Sequence, residues 1–387
     1  MENFNWRQKL KLVLFSFKVI GLWPSNPKTY ATNFYTLYAT LSFILFGFGH
    51  TFVQMIQVIL SPFDLEALAG TLFIACQTMA VMKAYGFMKQ IKIMKDLMSK
   101  LNNDTFRSRN VTQEVTLNSN LKFWWNLYVG YEFVTYSTVL LWLSFPILDK
   151  SYKNSRLPCA AWYPYDFRKT PFYEITYFYQ ILSLCYLNVC NTNMDMLSVC
   201  LMVYIGAQCD ILCDNLRSLG KCDEESRSEV FNRELVEIIE HHKEILKFVK
   251  NFNRFVDKIL LAQFLASLLS LALAFFQITL IAPLTSEFLT VVSLITSTIF
   301  QIFLYCWYGN EVDIKSRKIF YAIFESEWIG VPPKAQQNLL IFSLRTRQQI
   351  TIRTFKLFPL SLGTFMTIMR SAWSYFAVLR QVNIPQE

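Results

Sequence analysis

Apolar positions in this chain come in long runs. Seven runs are long enough to cross a hydrocarbon core as helices, each near the ~20 residues that a ~30 Å slab requires. They lie at Tyr35–Leu60, Glu66–Gly86, Phe123–Leu148, Glu174–Ile205, Lys258–Ile281, Phe288–Gly309 and Thr354–Leu379. The second run is the weakest, with Glu66 and Lys83 at its ends. Pro62 and Pro283 fall between runs one and two and between runs five and six, which predicts two tight hairpins. The fourth run carries Asn188, Asn191, Asn193 and Asp195. That much polarity cannot face lipid cheaply, so this face is expected to turn inward, to protein or to water. The predicted fold class is all-α transmembrane with seven spanning helices.

Two segments outside these runs also show helical spacing. Trp6, Leu10, Val13, Phe17 and Ile20 alternate with Arg7, Lys9, Lys11 and Lys18, as in an amphipathic helix lying in the interface. A secretory signal would have an unbroken apolar core and a small-residue cleavage site. Leu235, Ile238, Ile239, His242, Ile245 and Val249 follow a 3.6 period. They predict that runs four and five continue as packed helices on the cytoplasmic side.

Charge gives the orientation. Lys and Arg number 27 in segments 1–34, 87–122, 206–257 and 311–353, against six in the alternate segments. Basic loops stay in the cytoplasm, so the N-terminus is expected inside and the C-terminus outside. Two glycosylation sequons, Asn103-Asp104-Thr105 and Asn110-Val111-Thr112, then fall on the inner side. Their use in cells would reverse the assignment. The net charge of +9 belongs to these loops, and no nucleic-acid partner is expected.

Charged residues make up 17% of the chain and aromatics 16%. Nine cysteines, an odd number, mostly sit within apolar runs; no structural disulfide is expected. Cys159 alone is expected to face the outside. Cys209 and Cys213 share a helix face without a histidine beside them, and His241 and His242 point to different faces, so neither pair predicts a metal site. No phosphate-cradling loop, paired intramembrane carboxylates or zinc spacing is present. The expectation is a protein that is not an enzyme and needs no cofactor. Glu132 is expected to pair locally or to sit near the interface.

Two patterns offer function. In the last run Thr364, Thr367, Ser371 and Ser374 fall on one stripe, which continues to Val378, Gln381 and Val382. Such a stripe lines water or packs closely against another helix, and a hydrophobic ring at the end of a polar lining gates by dewetting. Arg370 lies on another face of the same run. In the outer half, Thr71, Thr78, Met79, Tyr136, Val139, Leu140, Leu143, Phe178, Ile181, Val292, Thr296 and Phe300 suit a pocket for a small hydrophobic ligand. They equally suit an ordinary helix core.

Specific motifs concentrate in the C-terminal third. Run six ends in Tyr305-Cys306-Trp307-Tyr308-Gly309-Asn310-Glu311-Val312. Ser316, Ala322, Glu325, Trp328, Leu339-Leu340 and Arg347-Gln348 follow. Then come Phe358-Pro359-Leu360-Ser361, Phe365, Ser371 and Ser374-Tyr375-Phe376. Upstream stands Trp162-Tyr163-Pro164-Tyr165-Asp166. The chain resembles the insect odorant receptors, seven-helix ligand-gated cation channels. The likeness covers the whole chain in layout and is specific in motif from Tyr305 to Val382.

The resemblance implies a tetramer whose last helices surround one pore, passing monovalent and divalent cations. It implies assembly with odorant co-receptor subunits in the plasma membrane of sensory neurons, and a small volatile organic ligand. It divides the chain into a cytoplasmic amphipathic segment (1–34), six bilayer helices with their loops and the outer-half pocket (35–309, with 206–257 as a cytoplasmic extension), a cytoplasmic anchor (310–353), and the pore helix with an extracellular C-terminus (354–387). By motif, Val378 and Val382 fall at the family's hydrophobic gate, beside Gln381. Arg380 next to Gln381 is awkward at a cation pore, which suggests a subunit that does not form a good pore alone. The chain lacks the co-receptor's long second cytoplasmic insertion and reads as a tuning subunit.

Three rivals remain. A G-protein-coupled receptor requires the N-terminus outside, against the charge bias. A gustatory receptor belongs to the same channel superfamily, but the Ser374-Tyr375-Phe376 ending and Tyr165-Asp166 favour the odorant branch. A secondary transporter predicts two matching halves with broken helices, and no internal repeat is seen.

Overall fold

The structure is a computed structural model and describes residues 10–24, 30, 33–60, 65–101, 103–148, 150, 152, 155–221, 227–355 and 358–383. Within them, the side chains of 65–73, 145, 227–228, 286 and 382–383 are not described. The expected features at Trp6, Arg7, Lys9 and Pro62 lie outside the described residues.

Ten helices carry the chain among the described residues: α1 (Lys11–Val19), α2 (Phe34–Leu60), α3 (Leu65–Lys89), α4 (Ile91–Lys100), α5 (Val111–Leu148), α6 (Phe172–Ser218), α7 (Arg227–Ile278), α8 (Ser286–Phe324), α9 (Pro333–Thr346) and α10 (Leu362–Asn383). Five of them, α2, α5, α6, α7 and α8, are long and apolar enough to cross a membrane.

The helix ends follow local chemistry. Asn33 caps α2 by accepting from the Thr36 amide at 3.0 Å, and Thr285 caps α8 by accepting from Phe288 at 3.2 Å. Pro333 opens α9, where a missing N–H costs nothing. Within α2, Phe43–Gly49 loosens to a π-turn. The Leu45 carbonyl there accepts from the Tyr179 hydroxyl at 2.7 Å, which ties the irregular turn to α6.

Helix α6 is the axis. It packs against α3, α5, α7 and α8, and 94% of its most apolar stretch is enclosed. Helices α5 to α8 run well past the predicted spans. The 3.6-period residues Leu235, Ile238, His242, Ile245 and Val249 are all buried on α7, with Ile239 half-buried. Around them lies a dense aromatic core. Tyr204 packs on Phe106 and Phe248 at ring distances of 5.7 and 5.3 Å. Gln208 donates to the Phe106 carbonyl and bonds His241, at 3.1 and 2.9 Å. His241 faces Phe106 and His242 faces Phe342, so the two rings do point to different faces.

The last run differs from expectation at its start. Thr354 is not helical: Arg353–Thr354 pairs antiparallel with Phe358–Pro359 as a two-stranded hairpin, and α10 begins only at Leu362. Pro359 holds the preceding residue extended. The Ser361 hydroxyl then accepts from the Thr364 amide at 3.2 Å as a cap. The hairpin lies hard against α8, where a Cβ on Gly309 would meet Leu360 Cβ at 2.3 Å. That close approach gives the Tyr308-Gly309-Asn310 motif a packing reason.

Candidate functional site: a five-helix cavity beside a buried ion pair

Five helices leave a cavity of about 120 Å³ between them. Its walls come from α3 (Cys76, Met79, Ala80), α5 (Tyr131, Thr135, Thr138, Val139), α6 (Leu184, Leu187), α7 (Ala266, Ser270) and α8 (Leu294, Ser297, Thr298). The space exists because the inward side chains of this layer are mostly small. The hydroxyls of the wall are largely engaged with their own helices or with each other. Thr138 bonds the Val134 carbonyl at 2.9 Å and Ser293 at 2.6 Å, and Thr298 bonds Leu294 at 2.8 Å. The wall is therefore apolar in effect.

One side of the cavity is different. Gln77, Asn188, Asn191, Gln263, Ser267 and Gln301 also line it, and behind them lies an ion pair with no solvent access. Lys83 Nζ is 2.6 Å from Asp195 Oδ1, with side chains 0% and 2% exposed. Lys83 also donates to Asn191 Oδ1 at 2.7 Å, Tyr305 donates to Asp195 at 2.6 Å, and Gln301 Nε2 donates to Asp195 Oδ2. Gln263 Nε2 donates to Gln301 Oε1 at 3.0 Å and to Ser267 at 2.8 Å. One chain of hydrogen bonds thus runs from a charge pair to the edge of the cavity. Lys83 does not end its helix at a membrane surface, as the run pattern implied. It is the cation that neutralises the acid of α6, and charges on two helices are satisfied by meeting in the interior. Glu132, on α5, is half-buried, and its carboxylate oxygens have no hydrogen-bond partner among the described residues.

Of the residues proposed from sequence for a pocket, Met79 and Val139 line this cavity. Phe300 stands behind the wall, 5.8 Å from the ring of Tyr131. Thr78, Leu143 and Ile181 are half-buried away from it; the Leu143 carbonyl accepts from Tyr177 at 2.6 Å. Tyr136, Leu140, Phe178, Val292 and Thr296 turn outward, with Leu140 and Phe178 63% and 61% exposed. The side chain of Thr71 lies outside the described residues. The cavity sits deeper along α5 and α6 than those positions, and α7 contributes to it. A signal for α7 was present: Gln263, Ser267 and Ser270 recur on one face of an otherwise apolar run. Gln77 and Gln301 were single polar residues in apolar runs, with nothing in the sequence to bring them together.

The loop between α5 and α6 folds over the helix ends beyond the cavity. Trp162 N–H bonds the Val53 carbonyl at 3.1 Å, and Trp142 bonds the Pro158 carbonyl at 2.9 Å. Gln180 clasps both backbone groups of Cys159, at 3.0 and 2.9 Å. Cys159 is buried within this clasp.

Helix α10 meets α7 and α8 through one face only. Phe376 and Trp373 pack on Phe275, and Phe365 packs on Phe303. Ala372 and Phe376 are its only buried residues among those described. Ser371 is half-buried, while Ser374, Val378 and Gln381 are exposed, as are Thr367 and Arg370. The side chain of Val382 lies outside the described residues.

Comparison with known proteins agrees with this architecture. A family model described as 7tm Odorant receptor matches residues 64–373. The chain belongs to the odorant receptor family. Odorant receptor Or1 of Anopheles gambiae is 24% identical, with 99% of this chain and 97% of that one covered. Odorant receptor 46a, isoform A, of Drosophila melanogaster is 26% identical over 75% of this chain and 76% of that one. Among solved structures, the insect olfactory receptor OR5 from Machilis hrabei in complex with eugenol superimposes with a TM-score of 0.86 at 18% identity, covering 97% of this chain and 98% of that one. A second structure of the same Machilis hrabei receptor gives a TM-score of 0.85. The fold is that of an insect olfactory receptor, and members of this family are membrane receptors rather than enzymes.

Proposed function

We propose that the chain is an odorant-tuning subunit that crosses the plasma membrane of sensory neurons seven times, N-terminus inside and C-terminus outside. It binds a small volatile ligand in the five-helix cavity and, in a tetramer with odorant co-receptor subunits, opens a non-selective cation pore. The observation that carries this reading is the cavity itself: mostly apolar, and bounded by the helices that make up most of the bundle. A cavity of roughly 150 Å³ admits a benzene-sized molecule, so one of about 120 Å³ suits a compact ligand. The eugenol complex of the Machilis receptor supports a small organic ligand as the kind of molecule this fold holds.

The mechanism is a population shift. A ligand that fits the open arrangement better than the closed one draws the equilibrium toward it. Raising an open fraction from 1% to one half requires about 2.7 kcal/mol of preference, half of what a full 1:99 to 99:1 reversal takes. Burying a few apolar ligand atoms supplies that amount. The exposed face of α10 is the pore wall in this reading, with Val378, Gln381 and Val382 at the outer constriction and Ser371 and Ser374 below it.

The test is electrical. The chain is expressed with and without an odorant co-receptor, and currents are recorded over a panel of volatile compounds. A ligand-dependent cation current that needs both subunits is expected. A G-protein response without co-receptor overturns the channel reading. Val378→Ala is expected to raise the ligand-free leak, and an unchanged leak removes α10 from the gate.

A further inference from the structure

The amides at the cavity are ordered by the ion pair behind them, and this order dictates what the cavity asks of a ligand. Asp195 beside Lys83 offers only acceptors, so Gln301 presents its NH₂ to that carboxylate. The Gln301 oxygen is then turned toward Gln263, which donates its own NH₂ to it and to Ser267. The Gln263 carbonyl oxygen is left over, buried and without a partner among the described residues. The amide orientation of Gln263 is thus fixed by its network and is not an arbitrary choice between oxygen and nitrogen. Nearby, Gln77 is 4% exposed and neither its oxygen nor its nitrogen has a partner among the described residues. Gln77 offers both a donor and an acceptor whichever way the amide is turned. Asn188 adds an unpartnered NH₂. All three residues line the cavity.

We infer that the preferred ligand carries a hydroxyl group: a compact alcohol or phenol whose O–H donates to Gln263 and whose oxygen accepts from Gln77 or Asn188. The inference rests on the cavity being the ligand site. A hydroxyl is the smallest group that both donates and accepts. A ketone, ether or ester satisfies the free NH₂ groups but leaves the Gln263 oxygen unpaired, and a hydrocarbon leaves every one of them unpaired. A site built around a hydrogen bond rejects the analogue that lacks it, because its own buried polar group is then stranded. The rest of the ligand is apolar and lies against Met79, Val139, Leu184 and Ala266.

Three compounds of one size separate the possibilities: cyclohexanol, cyclohexanone and methylcyclohexane. Their binding is measured on the purified full-length chain in lipid nanodiscs by isothermal titration calorimetry, so that the result does not depend on channel opening. Cyclohexanol is expected to bind about tenfold more tightly than cyclohexanone, and methylcyclohexane more weakly than both. A tenfold ratio corresponds to about 1.4 kcal/mol, the scale of one hydrogen bond. In Gln263→Met the alcohol-to-ketone ratio is expected to fall to about one. Gln77→Met is expected to weaken both oxygenated ligands and spare methylcyclohexane. A ketone that binds the unaltered chain as tightly as the alcohol overturns the proposal, as does failure of all three to bind. Should Gln263→Met not fold, the ratio in the unaltered chain still decides. Binding with a hydroxyl preference but no current with co-receptor would leave this inference standing and remove the channel reading. Current without hydroxyl preference would do the reverse.

Discussion

The two halves of α6 differ in where they put their large side chains. In the first half, Ile175 and Phe178 point outward at 60% and 61% exposure. The inward positions there are left to the cavity and its small-walled neighbours. In the second half, from Thr192 to Cys209, every residue except Val203 is buried. Trp124, Tyr204, Phe248 and Phe252 are fully buried around it. The same helix therefore serves as a wall of a cavity at one end and as the centre of a close-packed core at the other. Equal hydrophobicity along a helix does not mean equal packing. Segregation of large residues outward and small residues inward is what opens a cavity. The ion pair of Lys83 and Asp195 marks the boundary between the two regimes.

Breaking that boundary should have the largest effect. Asp195→Ala strands the Lys83 ammonium in the interior, at about 3–5 kcal/mol. The expected result is loss of folded protein at the cell surface. Replacing both partners, Lys83→Met with Asp195→Leu, should recover most of the folded protein. Recovery no better than the single variant would show that the Gln301 and Tyr305 bonds matter more than the charges. Phe248→Ala, in the packed half, should cost about 3 kcal/mol, read as a lowered melting temperature of the purified chain. Phe178→Ala in the open half should stay within about 0.5 kcal/mol.

The packed half should also be acid-sensitive. Burial holds His241 and His242 neutral, lowering each pKa to about 4, with Arg109 acting on the first and Arg345 on the second. Folded values below the unfolded 6.5 mean that their contribution is complete above pH 6.5. It is lost as pH falls toward 4, because the unfolded chain takes up the protons first. Linkage gives roughly 2 kcal/mol per histidine between pH 7.5 and pH 5. Melting curves across that range should flatten in His241→Phe, and an unchanged slope would place the acid sensitivity elsewhere.

The smallest effect separates the halves most cleanly. Ala266→Leu adds volume to the cavity wall and should change stability by less than about 1 kcal/mol, because the side chain enters free space rather than a packed core, while abolishing ligand binding. Ala207→Leu adds similar volume to the packed half and should cost about 1–3 kcal/mol. Equal costs would mean that the cavity is not free space for a side chain.

The length and apolarity of the runs, the amphipathic face from Leu235 to Val249, and the inward turn of the Asn188-to-Asp195 face were legible in the sequence. Each depends on the periodicity of a single helix, and a helix's own spacing is local information. The motif of Tyr305 to Val382 carried the family as well. The positions of the pocket were not legible to the same degree. Whether Phe178 or Leu184 faces the lumen depends on how α6 is rotated against four neighbours, and both are apolar. Lys83 looked like the end of a span because its partner lies 112 positions away on another helix. The sequence by itself determined which segments are helices and which helix faces avoid an apolar surrounding. Only the tertiary structure decided that Lys83 meets Asp195, that Gln263 is left with a free oxygen, and that a space of ligand size remains above them. Pairing of this kind is set by the packing angles and rotations of five helices together, and no one of their sequences contains it.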